Sequence, residues 1–92
     1  MLNLQTTAQY RRDRRLAVKR GFEMWRLDEV VQTLLEEKQL APQYLDHALI
    51  GGYSGFRECH IQANWLLIYA IDSENLILIV SRTGTHSDLF GN

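Results

Sequence analysis

The sequence predicts an α+β fold in which two N-terminal helices pack on a small antiparallel sheet, in the order βααβββ. Three observations point there. Apolar residues recur at i, i+3 and i+4 spacing from Met24 to Leu35. Two continuous apolar runs, Trp65 to Ile71 and Leu76 to Val80, are separated only by Asp72-Ser73-Glu74-Asn75, a link suited to a hairpin between buried strands. The length of 92 residues with 46% hydrophobic content supports one modest core, so residues 1–92 are expected to form a single domain.

Taken in order, Leu2 and Leu4 alternate with Asn3 and Gln5 as in a short strand, and Thr6 or Thr7 is placed to cap a helix over about 8–20 that Gly21 ends. The second helix buries Met24, Leu27, Val30, Val31, Leu34 and Leu35 and leaves Asp28, Glu29, Gln32, Glu36 and Glu37 in water. A loop then carries Pro42, Tyr44 and His47 to Gly51-Gly52-Tyr53-Ser54-Gly55, a turn-rich connection with room for a short extra strand near Leu49. Phe56 to Gln62 alternates, which sets Cys59 and Ile61 on one face and Phe56, Glu58 and His60 on the other. Gln62-Ala63-Asn64 is the turn into the first continuous apolar run.

Composition narrows the function classes. One cysteine, Cys59, forms no internal disulfide and fits a reducing compartment. The start Met1-Leu2-Asn3-Leu4-Gln5 is unlike a secretory signal, and no apolar run approaches the roughly 20 residues of a membrane span. The expectation is a cytoplasmic protein with no membrane association. A net charge of -1 hides an asymmetry: residues 1–26 carry seven Arg/Lys against two acids, and the rest carry three bases against nine acids. Such a basic segment reads either as a solvated helix face or as a surface for phosphates.

Chemistry is concentrated in Arg82-Thr83-Gly84-Thr85-His86-Ser87-Asp88-Leu89-Phe90, which follows the last apolar run. A permanent cation, a titratable imidazole and an aromatic ring, spaced four residues apart, are the groups needed to grip and cleave a phosphodiester. His47 and His60 are placed by the meander to join them. The three histidines also raise a zinc reading, but they are dispersed and include no short His-x-x-x-His pair, so no metal is expected.

Asp46-His47-Ala48-Leu49, Phe56-Arg57-Glu58-Cys59-His60-Ile61, Trp65-Leu66-Leu67-Ile68-Tyr69 and Arg82 to Phe90, in that order, resemble the YafQ branch of the RelE/ParE toxins. The resemblance spans nearly the whole chain, including the basic first helix. It implies a ribosome-dependent messenger RNA endonuclease in which the RNA 2′-hydroxyl attacks its neighbouring phosphate without metal or cofactor. It further implies that His47, His60 and His86 transfer protons, with His86 as the leaving-group acid and His47 or His60 as the base. Arg82 would stabilise the phosphate, and Phe90 and Trp65 would lie near the RNA. The implied partners are the 70S ribosome with its mRNA and a cognate antitoxin of ribbon-helix-helix type, with operator DNA reached only through that antitoxin.

One position departs from the branch, which typically has Asp before the tryptophan where this chain has Asn64. An amide next to the substrate orients a neighbour by hydrogen bonding but exchanges no proton. The alternative function is therefore an interaction protein that keeps the toxin fold and binds antitoxin or ribosome with impaired cleavage. By position alone, Trp65 reads as strand core, Arg57 as a salt-bridge partner, Glu58 as solvated and Cys59 as a small core residue.

Overall fold

The computed structural model, described over residues 1–91, contains a five-stranded sheet in the order β1-β5-β4-β3-β2. Strand β1 (Asn3–Thr6) leads into helix α1 (Ala8–Lys19), whose first turn is capped by Thr7, the side chain accepting the Tyr10 N–H. Gly21, in the left-handed conformation, carries the chain past the end of α1 toward helix α2 (Met24–Leu35). Helix α2 buries Leu27, Val30, Val31 and Leu34. Each such side chain contributes about 1.5–3 kcal/mol by leaving water.

The loop after α2 contains two single-turn 3₁₀ segments, Pro42–Tyr44 and Gly51–Tyr53, on either side of the two-residue strand β2 (His47–Ala48). Strands β3 (Arg57–Gln62), β4 (Trp65–Asp72) and β5 (Ile77–Gly84) form the antiparallel meander, and helix α3 (His86–Phe90) closes the described chain. The alternation in β3 holds: Cys59 and Ile61 join the core under α1 and α2 with Trp65, Leu67, Tyr69, Leu78 and Val80. The opposite face has a smaller apolar cluster of Leu66, Ile68 and Leu89, flanked by Leu49, Tyr53 and Phe56.

Three details differ from the sequence expectation. The sheet is mixed, because β1 runs parallel to β5. That direction lets the Thr7 N–H and hydroxyl reach the carbonyls of Val80 and Ser81 at 3.3 and 2.7 Å, fastening the start of α1 to the last strand. Leu4, on the open edge, is half exposed and not core like Leu2. Leu76 adopts a left-handed turn conformation, and β5 continues four residues past Val80, so Arg82 lies within the strand and not in a tail beyond it.

Candidate active site

The sheet lines up one cross-strand row. His47 in β2 lies opposite Glu58 in β3, Glu58 opposite Ile68 in β4, and Ile68 opposite Arg82 in β5. Directly opposed residues share a face, and neighbouring strands are about 4.8 Å apart. The row depends on a bulge. Tyr69 pairs with Val80, but Ile68 pairs with Arg82, so Ser81 is an extra residue in β5. In unbroken register Ser81 would oppose Ile68, and Arg82 would turn into the core under the helices.

Glu58 is buried, with only 8% of its side chain exposed, and its Oε1 lies 3.6 Å from Nε2 of both His47 and His60. His47 donates its Nδ1–H to the Leu45 carbonyl at 2.7 Å, which leaves Nε2 as the atom facing Glu58. The His60 and His86 rings approach edge to face with centroids 5.7 Å apart. Donor-type atoms of Glu58, His60 and His86 all lie within 4.8 Å of one another. The histidines dispersed in sequence are thus adjacent in space.

His86 is the first residue of α3. Thr85 caps this helix by accepting the Asp88 N–H while the Asp88 carboxylate accepts the Thr85 N–H, a reciprocal capping box. Arg20 at the end of α1 grips the same carboxylate through two nitrogens, at 2.6 and 3.1 Å, and with the cap holds the Asp88 carboxyl well below the usual range. Gly84 is required just before this cap, because a Cβ there would meet Asp88 Oδ2 at 2.9 Å. The result is a short helix fastened to both α1 and β5, with His86 exposed at its start.

Arg82 donates through Nε and Nη2 to the two oxygens of Asp13 in α1, at 2.9 and 3.2 Å, and this bond raises the guanidinium's already high pKa. Tyr53 lies beside the Arg82 guanidinium and packs edge-on against Phe90, with ring centroids 5.8 Å apart. Phe90 keeps 37% of its surface in solvent, so a ring is presented near the cation.

His47, His60, His86 and Phe90 therefore lie on the sheet face away from α1 and α2, and Arg82, opposite Ile68 in the same row, turns past the β5 edge to reach Asp13 of α1. Trp65 does not join them. It is 2% exposed on the helix-covered face, packed against Phe22 at 4.9 Å between centroids, and its Nε1–H is donated to Thr83 Oγ1. This corrects its expected place beside RNA: the continuous apolar run leaves parity undecided, and Trp65 falls on the inward parity with Leu67 and Tyr69. Asn64 is exposed but turns its side-chain oxygen to His86. Glu58, read from sequence as solvated, is a central buried group. Its shared parity with His60 gave its face, but no local signal gave its cover. Asp13 and Tyr53 were also missed as neighbours of Arg82, since each meets it only through the tertiary fold.

Residues 2–91 match the model of the bacterial toxin of type II toxin-antitoxin system, YafQ. The chain belongs to the YafQ toxin family. The mRNA interferase toxin YafQ of Escherichia coli (strain K12) is 36% identical over 90 residues, which cover 97% of this chain and 96% of that protein. A metal-bound toxin from Helicobacter pylori superposes with a TM-score of 0.92 at 42% identity, covering 98% of this chain and all of the other. YafQ in the E. coli DinJ-YafQ complex superposes with a TM-score of 0.90 at 33% identity, over 99% of this chain and 100% of that one. The protein is thus a toxin of a type II toxin-antitoxin system and, in reaction class, an endoribonuclease.

Proposed function

We propose that the protein cleaves messenger RNA on translating ribosomes by metal-independent acid-base catalysis. The observation that carries this reading is the gathering of three imidazoles and Glu58 on one sheet face, with Arg82 in the same cross-strand row. The 2′-hydroxyl attacks the adjacent phosphorus while a base removes its proton. The bond to the 5′-oxygen breaks as an acid protonates it, giving a 2′,3′-cyclic phosphate and a 5′-hydroxyl. His86 serves as the acid, and His47 or His60, either of them facing Glu58, serves as the base. Arg82 neutralises charge that develops on the phosphoryl oxygens, and Phe90 stacks on a nucleobase.

Ribosome dependence is supported by the exposure of His47 and His86 on this face, together with the basic outer surface of α1. Arg11, Arg12, Arg15 and Lys19 are exposed there and suit ribosomal RNA phosphates. No described helix is long and apolar enough to cross a membrane, and the cytoplasm, where ribosomes translate, is the proposed site of action. An antitoxin of ribbon-helix-helix type is the proposed partner, as a protein that binds the toxin and covers this face. Operator DNA would be reached only through it.

The donor set of Glu58, His60 and His86, one carboxylate and two imidazoles, also fits a transition-metal ion. Those three residues would hold it, and bound there it would occupy the lone pairs that proton transfer uses. Catalysis by the free side chains then predicts cleavage that persists in a chelator selective for transition metals, with Mg²⁺ kept for the ribosome, and that falls on adding excess Zn²⁺.

The test is cleavage of a reporter mRNA in a bacterial translation extract with and without ribosomes. His86→Ala is expected to lower the rate by about 10² or more, the usual worth of a general acid. Unchanged cleavage by His86→Ala would sink the mechanism, and binding without cleavage by the unmodified protein would favour the interaction-protein reading.

A further inference from the structure

We propose that Asp13 is a positioning residue for the reaction, one that aims Arg82 at the scissile phosphate from helix α1. This rests on the reading of Arg82 as the phosphate-binding group. Asp13 is the single acid of α1 and lies among Arg11, Arg12, Arg14 and Arg15. None of those nearby cations is its partner. The carboxylate turns inward, leaves 8% of its side chain exposed, and accepts hydrogen bonds from Arg82 Nε and Nη2, from the Thr83 backbone N–H at 3.2 Å and from Gln9 Nε2 at 2.9 Å.

Burying a carboxylate is costly unless its lone pairs are filled, and here four donors fill them. Three of the four come from two consecutive residues of β5, 69 and 70 positions away in sequence. The bond to the Thr83 N–H fixes the carboxylate to the strand, and the two-point contact fixes the guanidinium to the carboxylate. Because the contact uses Nε and Nη2, Nη1 is the nitrogen not committed to Asp13. The Ser81 bulge sets the face on which Arg82 emerges, and Asp13 sets the rotamer. A donor held in this way needs no reorganisation when charge develops on the phosphate.

The inference separates from a plain charge effect. An acid removed from a basic helix would tighten binding to RNA, whereas a lost aiming contact slows the chemical step. The experiment compares Asp13→Asn, Arg82→Ala and the double variant in the ribosome-dependent cleavage assay. Asp13→Asn is expected to lower kcat about tenfold or more with KM within about twofold, and to have no further effect in the Arg82→Ala background. An equal loss in both backgrounds, or a lowered KM with kcat unchanged, overturns the role of Asp13. Full activity of Arg82→Ala instead removes the reading of Arg82 on which the role depends. If Asp13→Asn does not fold, the intact protein still decides: the Arg82 Nε–H should exchange slowly with solvent by NMR, and rapid exchange there overturns the proposal.

Discussion

His86 donates its Nδ1–H to Oδ1 of Asn64 across 2.8 Å, and the same oxygen accepts the His86 backbone N–H at 3.1 Å. The backbone N–H only donates, so the atom between the two must be the amide oxygen. Nδ1 therefore carries the proton, and Nε2 is left to exchange one with substrate. An amide at position 64 orients the imidazole as a carboxylate would, without the charge. Asn64→Ala is expected to lower kcat roughly tenfold by freeing the ring. In Asn64→Asp the added carboxylate favours the imidazolium, so the alkaline limb of the kcat profile should move up by about one pH unit. An unmoved limb would count against His86 as the acid.

Trp65 is a structural residue by its burial and its bond to Thr83. Trp65→Phe should cost about 1–3 kcal/mol in denaturant unfolding through the lost hydrogen bond and the smaller ring. The KM for RNA should stay within about twofold. A large rise in KM with unchanged stability would return the tryptophan to the RNA.

Arg20 and Asp88 give the fold an acid-sensitive clasp. The Asp88 carboxyl is held below its unfolded value, chiefly by Arg20. Its stabilisation is therefore complete above an unfolded pKa of about 4 and is lost as pH falls through that value toward the native one. Arg20→Gln should lower stability at pH 7 by about 1 kcal/mol, given the partial exposure of the pair. The gap in Tm between wild type and variant should narrow below about pH 4. A gap that stays constant to pH 2 would show that the ion pair is not its source.

Cys59 is fully buried, and that burial pushes its thiol up to about 12. A disulfide reagent at pH 8 should therefore modify it only at the rate of unfolding. Rapid labelling of the native protein would contradict the packing of β3 against α2.

The helices and the hairpin were legible because each repeats its pattern over many residues: the stripe from Leu27 to Leu34 has one period, and the two apolar runs bracket an obvious turn. The end of β5 was not legible. Ser81 and Arg82 break the apolar run at Val80, although backbone pairing with β4 continues to Gly84. The site was half visible for the same reason. His47, His60, Arg82 and His86 are conspicuous as residue types. Glu58 and Asp13 look like ordinary surface acids, and only the partners that the fold brings to them make them otherwise.

The parallel pairing of β1 with β5 joins residues 74 positions apart in sequence, as Asn3 with Ile77. In the sheet order, β5 stands between β1 and β4, so a nascent chain that lacks it has no seat for β1 and no anchor for the cap of α1. Contacts of such long sequence separation form late and slowly. Completion of the fold therefore waits on β5, which holds both β1 and the cap of α1 in place. A chain ending at Asn75 should show no cooperative thermal transition, and a sharp melt from it would refute this dependence.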